Sequence, residues 1–156
     1  MKNLKRTFIL IISIFSIVAI TGCQNKNAIT IDEFKTKMND LGYVLQDAKN
    51  QFNKYEFVKE AYIAAESNYN YQIEFYILED IEQAKKFYEN NKIIFEKSKD
   101  GVSTHTSINV NNYAKFILET NDKYKLLSRI DNTVIFVNSD LKYKNNIDEV
   151  LKKLGY

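Results

Sequence analysis

The chain has 156 residues, with 22 Lys plus Arg against 20 Asp plus Glu, one His, one Cys, four Gly and neither Pro nor Trp. Forty-five per cent hydrophobic and 27 per cent charged residues make a globular composition, which excludes wholesale disorder, collagen-like repeats and a disulfide scaffold. Asn, Lys, Ile, Tyr and Phe supply 78 residues, half the chain, while Arg occurs twice; these five have A/T-rich codons, so their abundance reads as genome bias and not as a ligand signature.

Three cations, Lys2, Lys5 and Arg6, with no acid among residues 1–22, precede an apolar stretch from Phe8 to Ile20 whose only polar residues are Ser. These are the charged and apolar regions of an export signal. Thirteen residues are too few to cross a hydrocarbon core of about 30 Å, which takes about 20 as a helix. Ile20-Thr21-Gly22-Cys23 then resembles the bacterial lipobox, an aliphatic residue and two small residues before a Cys, and the only Cys of the chain falls on it. The resemblance covers residues 1–23. It implies cleavage after Gly22 by signal peptidase II and a diacylglyceryl group on the Cys23 thiol, the side chain most readily alkylated. Two acyl chains hold where one gives only marginal binding. The implied organisation is a signal peptide over 1–22, a lipidated N-terminus and short linker over 23–29 and a domain over 30–156, with membrane lipid as the partner of Cys23 and the extracytoplasmic face of the cell membrane as the location. The whole chain is similar to small surface lipoproteins of low-GC Gram-positive bacteria. Without its three leader cations the mature chain carries 19 basic and 20 acidic side chains; no nucleic-acid footprint survives, and nucleic acid is not an expected partner.

Thr30-x-x-Glu33 reads as a capping box for a helix with Ile31, Phe34, Met38 and Leu41 on one face and Gly42 at its stop. Tyr43 to Leu45 is a short strand, and Gln46 to Lys54 a loop or irregular turn. Phe57 to Ala65 and Tyr69 to Leu78 flank a turn at Glu66-Ser67-Asn68; in the second run Tyr69, Tyr71, Ile73, Phe75 and Ile77 alternate with polar residues, which predicts a half-buried strand. Asp80-x-x-Gln83 starts a helix with Ile81, Ala84, Phe87, Tyr88, Ile94 and Phe95 on its face. Thr104 to Val110 reads as an edge strand. Tyr113 to Thr120, Lys123 to Ile130 and Thr133 to Asn138 form a meander with turns at Asn121-Asp122 and Asp131-Asn132. A last helix carries Ile147, Val150, Leu151 and Leu154 and stops at Gly155. The expected fold is a single α+β domain: a mainly antiparallel sheet with about three helices packed on one face, with a degenerate strand-strand-helix duplication as its origin.

Gly at positions 22, 42, 101 and 155 alone leaves no phosphate loop, dinucleotide fingerprint or nucleophile elbow. Cysteine catalysis is excluded because the one thiol is assigned to lipid. His105, between Thr104 and Thr106, reads as a solvent-facing or partly packed strand residue, since no partner constellation for a base or a zinc ligand accompanies it; no metal and no cofactor are expected. Paired carboxylates remain, because two suitably spaced acids suffice for glycoside hydrolysis. Glu79-Asp80 and Asp148-Glu149 read instead as acids in the first turns of helices, where the macrodipole favours them. Tyr69, Tyr71, Phe75 and Tyr76 offer a sugar-stacking platform or, sharing a face with Ile73 and Ile77, a core. Lys142 to Asn146 reads as solvated surface and Arg129 to Thr133 as a hairpin turn. No catalytic residue is assigned. The expected function is therefore a non-catalytic binding or accessory module engaging an envelope protein or polymer, with a carboxylate-dependent envelope hydrolase as the rival.

Overall fold

The computed structural model describes residues 25–99 and 101–156. The expected export segment, with Gly22 and Cys23, lies outside the described residues. The first helix, α1 (Ile31–Asp40), begins as its sequence predicts. Thr30 Oγ1 accepts from the Glu33 amide at 3.2 Å, and the Glu33 carboxylate accepts from the Thr30 amide at 2.8 Å, so amides that a helix start leaves without partners are satisfied. The helix stops at Gly42, whose φ of 80° is left-handed backbone that any side chain disfavours.

An antiparallel meander of β1 (Val44–Asp47), β2 (Val58–Ala65) and β3 (Gln72–Leu78) follows, with a short 3-10 turn (Lys49–Phe52) inside the stretch expected as a loop. Next come α2 (Ile81–Lys97), β4 (Thr104–Val110), β5 (Tyr113–Glu119), β6 (Lys123–Ile130), β7 (Thr133–Asp140) and α3 (Lys144–Leu154). The seven strands make one antiparallel sheet in the order β1-β2-β3-β7-β6-β5-β4. α2 carries the chain from β3 in the middle to β4 at the far edge, and the second meander returns until β7 pairs with β3. The α+β class, the antiparallel sheet and the three helices are those expected; β1 and β4 are the two edges, and β4 is exposed along its whole length.

The helices do not share one face. Phe34 and Met38 of α1 and Ile147, Leu151 and Leu154 of α3 bury against Ile73 and Phe75 of β3 and Ile135 and Val137 of β7. Tyr76 and Leu78 of β3 and Val134 of β7 point the other way, where they meet Ala84 of α2; farther along that face Tyr88 and Phe95 of α2 cover Phe116, Leu118 and Leu127. The physical reason is that the two central strands are apolar on both faces, so each face needs a cover. β3 is accordingly buried on both sides and not half-buried. Tyr69 departs from its expected place as well: it lies in the turn before β3 at φ 58° and is 70 % exposed. Ile81 and Ile94 of α2 are exposed too, because the sheet meets only Ala84, Tyr88, Phe95 and part of Phe87.

Two strand runs each leading into a helix do recur along the chain, yet they are not related by symmetry. A two-fold axis that exchanges the antiparallel neighbours β3 and β7 must stand perpendicular to the sheet and would keep α2 and α3 on the same face, whereas they lie on opposite ones.

Phe75 is fully buried and stacks on Phe34 with ring centroids 4.6 Å apart and planes inclined by 13°. Phe75→Ala is expected to cost about 3–5 kcal/mol in urea unfolding, and Ile94→Ala on the exposed side of α2 to stay within about 0.5 kcal/mol of wild type. Equal losses in the two variants would mean that the layers are not packed as described.

Candidate functional site

One side chain fixes how the chain arrives at the domain. Asn112, in the two-residue turn between β4 and β5, donates from Nδ2 to the Lys26 carbonyl at 2.7 Å and accepts at Oδ1 from the Lys26 amide at 3.1 Å. Its Nδ2 also donates to the Asp131 carboxylate at 3.1 Å, and its own carbonyl accepts from the Asp131 amide at 2.9 Å and from Arg129 Nη1 at 3.2 Å. Asn111 and Asp131, the first residues of the two adjoining turns, have φ of 51° and 49°, a conformation Asn and Asp tolerate better than most residues. The Lys26 ammonium lies 3.9 Å from the Tyr113 ring centroid and donates to the Gly155 carbonyl at 3.2 Å. Partial burial, with Lys115 nearby, holds its pKa below the ordinary lysine value. Ile29 is buried beneath α1 and α3. The segment expected as a free linker is thus docked from Lys26 onward, and its sequence carried no sign of this because the anchoring residue lies 86 positions away.

These contacts define two ends of the sheet. The β4–β5 and β6–β7 turns, the start of α1 and the end of α3 lie at one end, and the Glu66–Tyr71 and Asn121–Asp122 turns at the other. At the second end a cavity of about 370 Å³ is bounded by Tyr69, Asn70, Gln72, Glu74, Phe136 and Asn138. Gln72 Nε2 donates to Glu74 Oε1 at 2.8 Å, and the Tyr76 hydroxyl donates to the other carboxylate oxygen. Burial and the adjacent negative charge push the Tyr76 hydroxyl upward, so it stays a donor and Glu74 is oriented as an acceptor. Of the aromatic platform, Tyr71, Phe75 and Tyr76 are core residues and Tyr69 alone stands open.

Two cavities bring carboxylates together. Glu66 and Glu149 border one of about 300 Å³ beside Tyr43 and Tyr71; Asp122 and Asp140 border another of about 620 Å³. Glu66 accepts from Ser67 Oγ at 2.9 Å, Asn68 N and Nδ2 at 3.1 Å and Asn70 Nδ2 at 3.0 Å. The Ser67 bond first, with the Asn donors adding, holds its pKa below the usual Glu value. Asp140 is held low by its bond to Lys123 at 2.8 Å. A general acid in glycoside hydrolysis needs the opposite shift.

Asp80 caps α2 as expected, accepting from the Gln83 amide at 2.7 Å, and Glu79 pairs with Lys59 at 3.0 Å. Asp148 differs: α3 begins at Lys144, so Asp148 lies beyond its first turn and accepts instead from the buried Tyr124 hydroxyl. The helix starts earlier because the 3-10 turn Leu141–Tyr143 leads directly into it. Lys144, read as plain surface, pairs with Glu119 at 2.6 Å. His105 is exposed on β4, with its ring 6.3 Å from Phe116. Arg129 is the larger departure. It is 3 % exposed, because its side chain lies between α2 and the sheet, where Nη1 donates back to carbonyls of the Asn112 and Asp131 turns. Its rarity was the only signal in the sequence.

Among the described residues no group of three or more His, Cys, Asp or Glu side chains is placed to hold a metal ion, and no helix is long and apolar enough to cross a membrane. No known protein family, curated protein or solved structure matches the chain.

Glu66 has a depressed pKa, so the stability it contributes is complete above the model-peptide value of 4.5 and fades as pH falls through its lower folded value. An NMR titration of its side-chain carboxyl should give a midpoint below 4.5 that rises toward that value in Asn70→Ala. A midpoint above it would restore Glu66 as a general acid.

Proposed function

We propose that this protein is a lipid-anchored extracytoplasmic lipoprotein, tethered through Cys23, that acts as a non-catalytic binding module for an envelope polymer. The observation that carries the reading is the Asn112 clamp on Lys26. Cys23 and Lys26 are three residue steps apart, which span at most about 11 Å, so an acylated Cys23 would hold the end of the sheet bearing Asn112 and Asp131 against the bilayer. The opposite end, with Tyr69, Asn70, Gln72, Glu74 and Asn138, would then face the wall. Amide and carboxylate groups there offer donors and acceptors in fixed positions, and an exposed tyrosine adds a flat apolar face with a polar tip. A hydroxyl-rich glycan suits that lining. Glu66 and Asp140 are both held toward the charged form and so serve as hydrogen-bond acceptors and not as proton donors.

The test uses the full-length protein in its host membrane. Fatty-acid label should enter the wild type and not Cys23→Ala. Detergent-solubilised protein should co-sediment with purified wall glycan, and Tyr69→Ala and Asn138→Ala should each weaken this about two- to tenfold, the equivalent of about 0.5–1.5 kcal/mol per lost contact. Undiminished binding in both variants would remove this surface from the reading. Release of soluble glycan fragments, lost on changing an acid, would replace binding by hydrolysis.

A further inference from the structure

Arg129 presents a problem that the rest of the fold does not solve. It is almost wholly buried, and a buried cation is normally matched by an anion. Its Nη1 donates to the carbonyls of Asn112 and Asp131, both at 3.2 Å, yet among the described residues no carboxylate lies within ion-pair distance of it. The neighbouring acids are committed elsewhere. Asp131 takes its bond from Asn112, and Glu89 leans toward Lys92 at 3.9 Å. The two carbonyls hold the guanidinium in one orientation, and Arg129 lines a cavity of about 350 Å³ between α2 and the β4–β5–β6 side of the sheet.

The rest of that lining is Lys85, Tyr88, Glu89, Asn109, Asn111 and Ala114. Burial pushes the Tyr88 hydroxyl upward, with Glu89 adding to the shift and Arg129 opposing it, so Tyr88 remains a donor. Lys85 pairs with Glu82 at 2.7 Å on the exposed side of α2. Two cations, Arg129 and Lys85, line the cavity against one carboxylate, Glu89, and a guanidinium is the planar group best shaped to take two oxygens of a phosphate. In a chain with 20 Lys and 2 Arg, this position uses the cation suited to bidentate recognition.

We propose that this cavity is a phosphate-binding site, with Arg129 as its anchor and Lys85, Tyr88 and Asn109 as its rim. Its location narrows the source. Asn112 joins the site to the arriving chain, since its carbonyl receives Arg129 while its side chain holds Lys26. Resting on the lipid-anchor reading, the ligand is then the phosphate of an anionic lipid headgroup at the bilayer surface; without that reading it is free phosphate.

Both variants chosen for the test alter exposed side chains, so the fold is preserved. Asn109→Asp places a carboxylate on the rim and should weaken binding about five- to tenfold; Glu89→Gln removes one and should strengthen it by a similar factor. The probes are inorganic phosphate, followed by calorimetry, and vesicles of phosphatidylglycerol against phosphatidylcholine, followed by flotation. The full-length protein and its Cys23→Ala form are compared. Saturable binding of either probe that shifts in opposite directions in the two variants supports the site. Preference for phosphatidylglycerol vesicles by Cys23→Ala protein assigns the headgroup, and a response to inorganic phosphate alone assigns the free ion. Binding insensitive to both variants, or no saturable binding of either probe, overturns the proposal. Fatty-acid labelling of Cys23 is read separately, so loss of the anchor and loss of the phosphate site are distinguishable outcomes.

Discussion

The pairing of β3 with β7 is the constraint on which the rest of the molecule depends. Glu74 to Ile77 of an early strand lie beside Thr133 to Phe136 of the last one, and the whole second meander is laid out between them. Neither meander has its own complete core. Phe75 and Ile135 meet α1 and α3 on one face, while Tyr76 and Val134 meet α2 on the other. The junction is buried twice over, so the three helices are stabilised by strands from both halves of the chain. Such long-range pairing carries the loop-closure entropy of the chain between the two strands.

The same closure builds the polar network at one end of the sheet. Once β6 and β7 stand beside β5, the Asp131 turn comes against the Asn112 turn, and Asn112 can bind Lys26 with its side chain and Arg129 with its carbonyl. Three segments distant in sequence meet at one residue. Tyr156, at the last described position, is buried there too, with its hydroxyl against Thr133. The docked Lys26, the last described residue and the buried Arg129 are joined at this end, whereas the cavity bounded by Tyr69 and Glu74 lies at the other.

The charges follow one rule. Acids exposed to solvent hold their turns and caps: Glu33 at the start of α1, Asp80 at the start of α2, Glu66 across its own turn, and Asp140 against Lys123. Glu33, Glu66 and Asp140 are stabilised in their charged forms by these bonds and serve poorly as proton donors. Arg129 breaks the pattern because it is buried with carbonyls and, among the described residues, without a carboxylate, and it lines a cavity with room for an external partner.

Local periodicity made most elements legible. Thr30-x-x-Glu33, Asp80-x-x-Gln83, the alternation of β3 and the spacing of Ile147, Val150, Leu151 and Leu154 each describe contacts within a turn or two of the chain, and their elements stand where the sequence put them. The expected signal and lipobox are equally local, a run of residue types read in order. Which face a helix covers, whether Tyr69 packs or opens, and that Arg129 turns inward while Lys26 docks on Asn112 were decided by tertiary structure alone. These depend on which strands become neighbours, and the free energy that selects the neighbours comes from burying two apolar faces at once, a quantity that no local window of sequence contains.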